Sequence, residues 1–205
     1  MPVLKLSRQV DYGQPPRPFA LRDTTGTVRR LEEFVNGKGL LVAFICNHCP
    51  FVQHLLPGLV DFAREYIPQG LQIVAISSND PADFPDDSPE AMARLAQEMD
   101  FPFPYLFDAT QDVALAYGAI CTPDFFLYDG RMQLAYCGQF DASRPGLGHP
   151  PMEGTETWRT SVPVTGEDMR SAADAVLAGQ PAPQPQVPSA GCNIKWMAGK
   201  DPSWG

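Results

Sequence analysis

Two cysteines stand three residues apart with a histidine between them and a proline behind, Cys46-Asn47-His48-Cys49-Pro50. Sulfur at this spacing can cycle between dithiol and disulfide, provided one thiol is ionised. Ahead of the motif runs Gly39-Leu40-Leu41-Val42-Ala43-Phe44-Ile45, apolar enough for a strand buried on both faces. Behind it Val52, Leu55, Leu56, Leu59, Phe62, Ala63 and Tyr66 recur at helical spacing. Pro50 suits the first helical turn, and Pro57, inside the pattern, is expected to kink it. Cys49 therefore sits where a helix begins. Up to four unpaired backbone N–H groups and the positive end of the helix dipole face its sulfur. There a thiol pKa falls from ~8.5 into the range ~3.5–7.5, and His48 adds to the effect if protonated or if it donates a hydrogen bond to sulfur. The chemistry so indicated is attack by a Cys49 thiolate on a disulfide or an oxidised sulfur. Cys46 then resolves the mixed species by forming Cys46–Cys49. Two plainer readings compete, a pair of inert buried thiols and a zinc site built from Cys46, His48, Cys49 and His54. Against zinc, there is no second Cys-x-x-Cys and no histidine pair at finger spacing.

Three more cysteines complete an odd total of five, which does not read as a disulfide framework. Cys121 lies two residues before Pro123 and either approaches Cys49 or fills the core as a small apolar group. Cys137 closes an apolar strand and reads as core. Cys192 lies in a tail that looks mobile, after a Pro-rich linker; swinging onto Cys49 as a resolving thiol and merely anchoring the tail both remain open. His54 and His149 have no partners in the pattern and receive no role. Asp80, Asp83, Asp86 and Asp87 fall in one acidic loop after Asn79 that reads as a solvated face rather than a metal site.

The elements that must hold these residues follow from periodicity and turn chemistry. Residues 1–17 read as a polar, extended surface segment. Phe19-Ala20-Leu21 and Val28-Arg29-Arg30-Leu31 flank Asp23-Thr24-Thr25-Gly26, a hairpin signature. Leu71-Gln72-Ile73-Val74-Ala75-Ile76 is a second buried strand, residues 88–99 a helix capped by Ser88 with Glu90 in its first turn, Tyr105-Leu106-Phe107 a short strand, and residues 110–117 a short helix. Phe125-Phe126-Leu127-Tyr128 and Met132-Gln133-Leu134-Ala135-Tyr136-Cys137 bracket Asp129-Gly130, a second hairpin. Residues 139–164 are loop-like, a last helix starts near Thr165 and Asp168 and ends about Leu177, residues 181–188 are a Pro/Gln linker, and the tail carries Lys195, Trp196 and Trp204. Alternating strands and helices imply an α/β protein with a central mixed sheet covered on both faces.

The 205 residues suit one domain at 18–178, with an extension at 1–17 and a linker and tail at 179–205. With 24 acidic against 15 basic residues the net charge is −9, which argues against nucleic acid or an anionic membrane as a main partner. No apolar run approaches the ~20 residues of a membrane span, and the opening residues lack a signal-like apolar core. The expected address is the cytoplasm, where thiols are kept reduced.

Cys49-Pro50-Phe51-Val52-Gln53-His54-Leu55-Leu56-Pro57 resembles the active-site helix of thioredoxin, whose first cysteine falls on Cys49, helix-kinking proline on Pro57 and closing tyrosine on Tyr66. Thr122-Pro123 before a strand resembles the cis-proline turn of that fold, which faces the cysteines. Over residues 18–178 the chain is most similar to the peroxiredoxin-like branch, the redoxin or alkyl hydroperoxide reductase/thiol-specific antioxidant (AhpC/TSA) family. The tail Pro188-Ser189-Ala190-Gly191-Cys192-Asn193-Ile194-Lys195-Trp196 is similar to one in uncharacterised members of that branch. The resemblance implies a thioredoxin-like fold and a thiol–disulfide oxidoreductase of antioxidant type. It places Cys49, Cys46, His48 and Pro123 in catalysis, and Thr122, Pro50 and Asn47 against the substrate. Pro123 would present its preceding backbone to an extended, peptide-like substrate. Neither an organic cofactor nor a metal is implied; electrons would come from a small dithiol protein or glutathione. The register departs from the family at two points. Val52 stands where thioredoxin has its second cysteine and true peroxiredoxins their peroxidatic one, and Ala43 replaces thioredoxin's buried acid. Two other functions stay open: an atypical thiol peroxidase, in which Cys49 becomes a sulfenic acid resolved by Cys46 or Cys192, and a redox-sensing module without turnover.

Overall fold

The computed structural model describes residues 4–7, 10–146 and 162–203. Its centre is the pair that the two apolar runs demand. β4 (Gly39–Phe44) is buried along its whole length and lies parallel to β5 (Leu71–Ser77), in register from Gly39 opposite Leu71 to Phe44 opposite Ile76. A parallel pair needs a crossover, and α1 (Pro50–Tyr66) supplies it, with Cys49 as its N-cap, Pro50 in the first turn and Pro57 inside. Around this pair the sheet grows outward. β2 (Ala20–Asp23) and β3 (Val28–Arg30) form the first hairpin, β6 (Tyr105–Phe107) joins β5 in parallel, and β8 (Asp124–Asp129) and β9 (Leu134–Tyr136) form the second hairpin on the other flank. The spatial order is β3-β2-β6-β5-β4-β8-β9. The Asp23 carboxylate shapes the first turn by accepting from the backbone N–H groups of Thr25 and Thr27.

Side chains alternate across the sheet, as strand geometry requires. Leu41, Ala43, Phe125 and Leu127 face one core, shared with α1 and with α4 (Glu167–Leu177). Leu40, Val42, Phe44, Phe126 and Tyr128 face the other, closed by α3 (Asp112–Tyr117) and Phe19. The helix α2 (Pro89–Glu98) begins at Ser88, whose hydroxyl accepts from Ala91 N–H as the sequence predicts. Cys46 and Cys49 belong to the α1 core and Cys137 to the opposite one.

The extended N-terminal segment includes a strand, β1 (Leu4–Leu6), which pairs antiparallel with β10 (Ala190–Asn193), and β10 pairs antiparallel with β7 (Cys121–Thr122) just before Pro123. The tail that looks mobile in sequence is thus the middle strand of a second, three-stranded sheet. The physical reason is that its Ser-Ala-Gly-Cys run has little side chain to obstruct close strand approach, and backbone hydrogen bonds on both edges order it. Part of the loop predicted over 139–164, together with His149 and Trp204, lies outside the described residues. No helix among the described residues is long and apolar enough to cross a membrane.

Phe62 fixes α1 to this scaffold: it has no exposed surface, stacks on Tyr66 with ring centroids 4.4 Å apart and meets Phe140 edge-on at 5.9 Å. Phe62→Ala is expected to lower the unfolding free energy by about 3–5 kcal/mol, read from the midpoint of a urea titration in reducing buffer.

Candidate active site

Three sulfurs converge on one threonine. Thr122 is buried, its hydroxyl lies 3.2 Å from Cys46 Sγ, and its carbonyl oxygen lies 3.0 Å from Cys49 Sγ. Across the β7–β10 seam Cys192 sits directly opposite Thr122. Cys46 ends the strand side, Cys49 opens α1, and Cys192 arrives from the tail. The Thr122–Pro123 peptide bond that holds this turn is cis, as the resemblance implies.

The electrostatics divide the three into one acid and two donors. Burial pushes the Cys49 thiol up, but hydrogen bonds from the Cys192 and Cys46 thiols and from the Val52 and Cys192 backbone N–H groups outweigh it and lower its pKa well below that of an ordinary thiol. Val52 occupies the third helical position. Cys46 and Cys192 move the opposite way. Burial, followed by the bond to Cys49 and the nearby Asp87 charge, raises Cys46; the bond to Cys49, then burial, raises Cys192. The arrangement favours the charged form at Cys49 and the neutral form at Cys46 and Cys192. Cys49 has no exposed surface, with β10 lying over it.

His48 lies beside Cys46, with ring nitrogen and Sγ within 4.8 Å, but its hydrogen bond goes elsewhere. Its Nδ1–H donates to Asp87 at 2.5 Å, its ring stacks on Phe84 at 4.9 Å, and its buried Nε2 has no hydrogen-bond partner among the described residues. Of the two ways in which His48 could favour the thiolate, the hydrogen bond to sulfur is not formed, its Nδ1 being engaged by Asp87. Asp87 itself corrects the reading of the acidic loop. Asp83 and Asp86 are exposed, but Asp87 is fully buried and accepts four hydrogen bonds, from Asn47 N–H, His48 N–H, His48 Nδ1–H and Asn79 Nδ2. In sequence it looks like its neighbours; only its position after the Phe84 turn sends it inward.

The other predicted residues find defined places. Asn47 orients the turn through its side-chain oxygen, which accepts from Tyr105, and its carbonyl, which accepts from Gln53. Pro50 starts α1. Cys121 is buried, donates to the Pro123 carbonyl at 3.5 Å and is pushed up by burial, then by Asp124. Asp124, absent from the sequence reading, is a fully buried carboxyl that burial pushes up to about 8. His54 is separated from the cysteines: its Nε2 lies 3.0 Å from Ser143 Oγ, beside a small cleft of about 20 Å³ that also touches Phe51, Leu55, Pro123 and Ala190. That removes it from the four-ligand zinc set. Cys46, His48 and Asp87 do bring sulfur, nitrogen and oxygen within 4.8 Å of one another. Both Asp87 oxygens are already taken by two donors each, so the carboxylate fits a positioning role better than a ligand's.

Residues 12–137 match the AhpC/TSA family. A curated relative, the thiol-disulfide oxidoreductase ResA of Halalkalibacterium halodurans, is 28% identical over 106 residues, 52% of this chain. This chain spans only 56% of that relative's length. Among solved structures, an uncharacterized conserved protein from Geobacillus kaustophilus is 45% identical with a TM-score of 0.87, covering 96% of this chain and 97% of that one. The thioredoxin domain of a thiol-disulfide oxidoreductase from Bacteroides vulgatus is 19% identical with a TM-score of 0.54, over 63% of this chain and 89% of that one. The fold is thioredoxin-like.

Asp87 supplies a test of how this site is held. Burial works to raise its carboxyl, but hydrogen bonds from His48, Asn79 and Asn47 hold it below the ordinary 3.8. A carboxyl lowered on folding stabilises above its unfolded pKa, and that stability is lost as pH falls through the lower folded value. Asp87→Ala is expected to cost about 3–5 kcal/mol near neutrality, because it strands buried donors. Denaturation at pH 7 and pH 3 should show a smaller loss on acidification for the variant than for the parent protein.

Proposed function

The chain belongs to the AhpC/TSA family, and on that footing we propose that it is a thiol–disulfide oxidoreductase whose nucleophile is the Cys49 thiolate. The single observation that carries this reading is the place of Cys49, the N-cap of α1 beside the Thr122–Pro123 turn, where, against the opposing effect of burial, the Cys192 and Cys46 thiols and backbone N–H groups lower its thiol pKa. The thiolate attacks one sulfur of a substrate disulfide, the other sulfur leaves as a thiolate, and a mixed disulfide forms. Cys46, beside Cys49 and 3.2 Å from the Thr122 hydroxyl, gives up its proton and attacks Cys49 Sγ. The substrate thiol departs and a Cys46–Cys49 disulfide remains. A small dithiol protein or glutathione returns the two electrons. Pro123, Thr122, Pro50 and Asn47 shape the surface on which this takes place, and His48 with Asp87 fixes the turn between the two sulfurs. A reducing, cytoplasmic setting belongs to the same proposal.

One observation favours a second reading. Cys49 is wholly covered, so a small oxidant reaches it with less rearrangement than a protein disulfide does. Hydrogen peroxide would then oxidise the Cys49 thiolate to a sulfenic acid, releasing hydroxide. Cys46 or Cys192 would condense with it, releasing water and leaving a disulfide.

Two measurements separate these. Alkylation of Cys49 should be slow, because of burial, yet nearly independent of pH from 8 down to 6, whereas a thiol of pKa ~8.5 loses about tenfold per unit in that range. A rate that falls like a free thiol's sinks the thiolate assignment. Disulfide mapping after one equivalent of peroxide, beside the Cys46→Ser and Cys49→Ser variants, should give reductase turnover abolished by Cys49→Ser and a trapped mixed disulfide in Cys46→Ser. Rapid peroxide consumption coupled to a thiol reductant supports the peroxidase reading instead.

A further inference from the structure

β10 does not lie on the site by chance of packing. It runs antiparallel to β7 at the edge that ends in Pro123, and it places a cysteine opposite Thr122 and against the nucleophile. The β7–β10 seam is short, two residue pairs with one flanking bond from Ile194 N–H to the Ile120 carbonyl. The residue before the cysteine is Gly191, and its lack of a side chain is a requirement. A Cβ there would overlap the Thr122 carbonyl and come within 3.0 Å of the Pro123 nitrogen, backbone atoms that cannot swing aside. The approach is thus limited to a strand carrying glycine immediately before its cysteine.

We propose that β10 stands in the place of an extended substrate polypeptide, and that the site accepts segments carrying Gly-Cys, the glycine answering to Gly191 and the cysteine to Cys192. The proposal rests on the oxidoreductase reading of Cys49 and names its substrate class. An incoming segment adds to the β7 edge as a strand, its main chain supplying affinity and the glycine supplying selectivity. β10 leaves that edge while keeping its pairing with β1. The Cys49 thiolate attacks the sulfur of the Gly-Cys residue, forming the mixed disulfide and expelling the partner sulfur as a thiolate that takes a proton from water. Cys46, on the far side of Thr122 from the seam, loses its proton and attacks Cys49 Sγ. The Gly-Cys sulfur leaves as a thiolate and is protonated, the substrate is reduced by two electrons, and Cys46–Cys49 is oxidised. The thiol reductant of the proposed function restores the dithiol. When no substrate is bound, Cys192 occupies the substrate's sulfur position and donates to Cys49, which accounts for the complete burial of the nucleophile at rest.

The test uses the full-length, reduced Cys192→Ser protein and two synthetic hexapeptides, each with its cysteine joined to thionitrobenzoate as a disulfide. One copies residues 189–194; the other has valine before the cysteine. Release of the coloured thiol in a stopped-flow instrument should be about tenfold or more faster with the glycine peptide, because the valine side chain meets fixed backbone. Gly191→Val, which unseats the protein's own strand, should raise the rate with the glycine peptide and keep the preference for it. Equal rates for the two peptides, or a Gly191→Val protein no faster than its parent, overturn the proposal. The symmetric nitrobenzoate disulfide serves as a control: reaction at Cys49 without peptide discrimination removes the Gly-Cys inference and leaves the oxidoreductase reading standing. Inertness of Cys49 towards every disulfide removes both.

Discussion

A thiolate in a protein interior is opposed by burial, which favours the neutral thiol, so the charge on Cys49 exists only while donors surround it. Helix geometry supplies part of the set through the Val52 N–H, and the rest comes from sulfur and backbone on two other segments. Everything else about the site follows from that need. Cys46 must follow β4 closely enough to donate, Thr122 must lie against the sulfurs, and the tail must return from the far end of the chain to bring Cys192. Each donor is itself raised by the interaction, which favours the proton on Cys46 and Cys192.

The supports of the site are equally distributed. The tail is tied to the turn after β5 by two backbone contacts, Lys195 N–H to Asn79 Oδ1 and Asp80 N–H to the Lys195 carbonyl. Asn79 in turn donates to Asp87, and Asp87 holds the Asn47-His48 turn between the cysteines. Phe84 links the same groups by its ring, with His48 stacked on it and the Lys195 ammonium 5.5 Å from its centroid. A chain of packed polar groups thus runs from the C-terminal segment to the motif. It makes the tail part of the active-site architecture.

The departures from the thioredoxin pattern read consistently in this light. Val52 contributes a backbone donor where that family's second sulfur stands, and Ala43 contributes none of the acidity. The second sulfur has moved upstream to Cys46, and a third is brought into the same core by β10. Asp124 is a buried carboxyl in the neighbouring strand, paired in register with Phe44 and facing the opposite core. It therefore does not replace the missing acid beneath Cys49.

Local pattern was sufficient for the core elements. The largely apolar runs at 39–45 and 71–76 pointed to buried strands, the helical spacing from Val52 to Tyr66 made α1 the crossover between them, and Cys49 before Pro50 had to stand at its start. These features depend on neighbours in the chain, so the sequence carries them directly. The fate of Asp87 and of Cys192 depends on partners far along the chain: Asp87 resembles the exposed Asp83 and Asp86 until the Phe84 turn directs it under His48, and Cys192 looks untethered until β1 and β7 pair with its backbone. Strand pairing and inward-turned polar groups are long-range choices, made by the hydrogen bonds the folded chain has left to satisfy, and tertiary structure alone decides them.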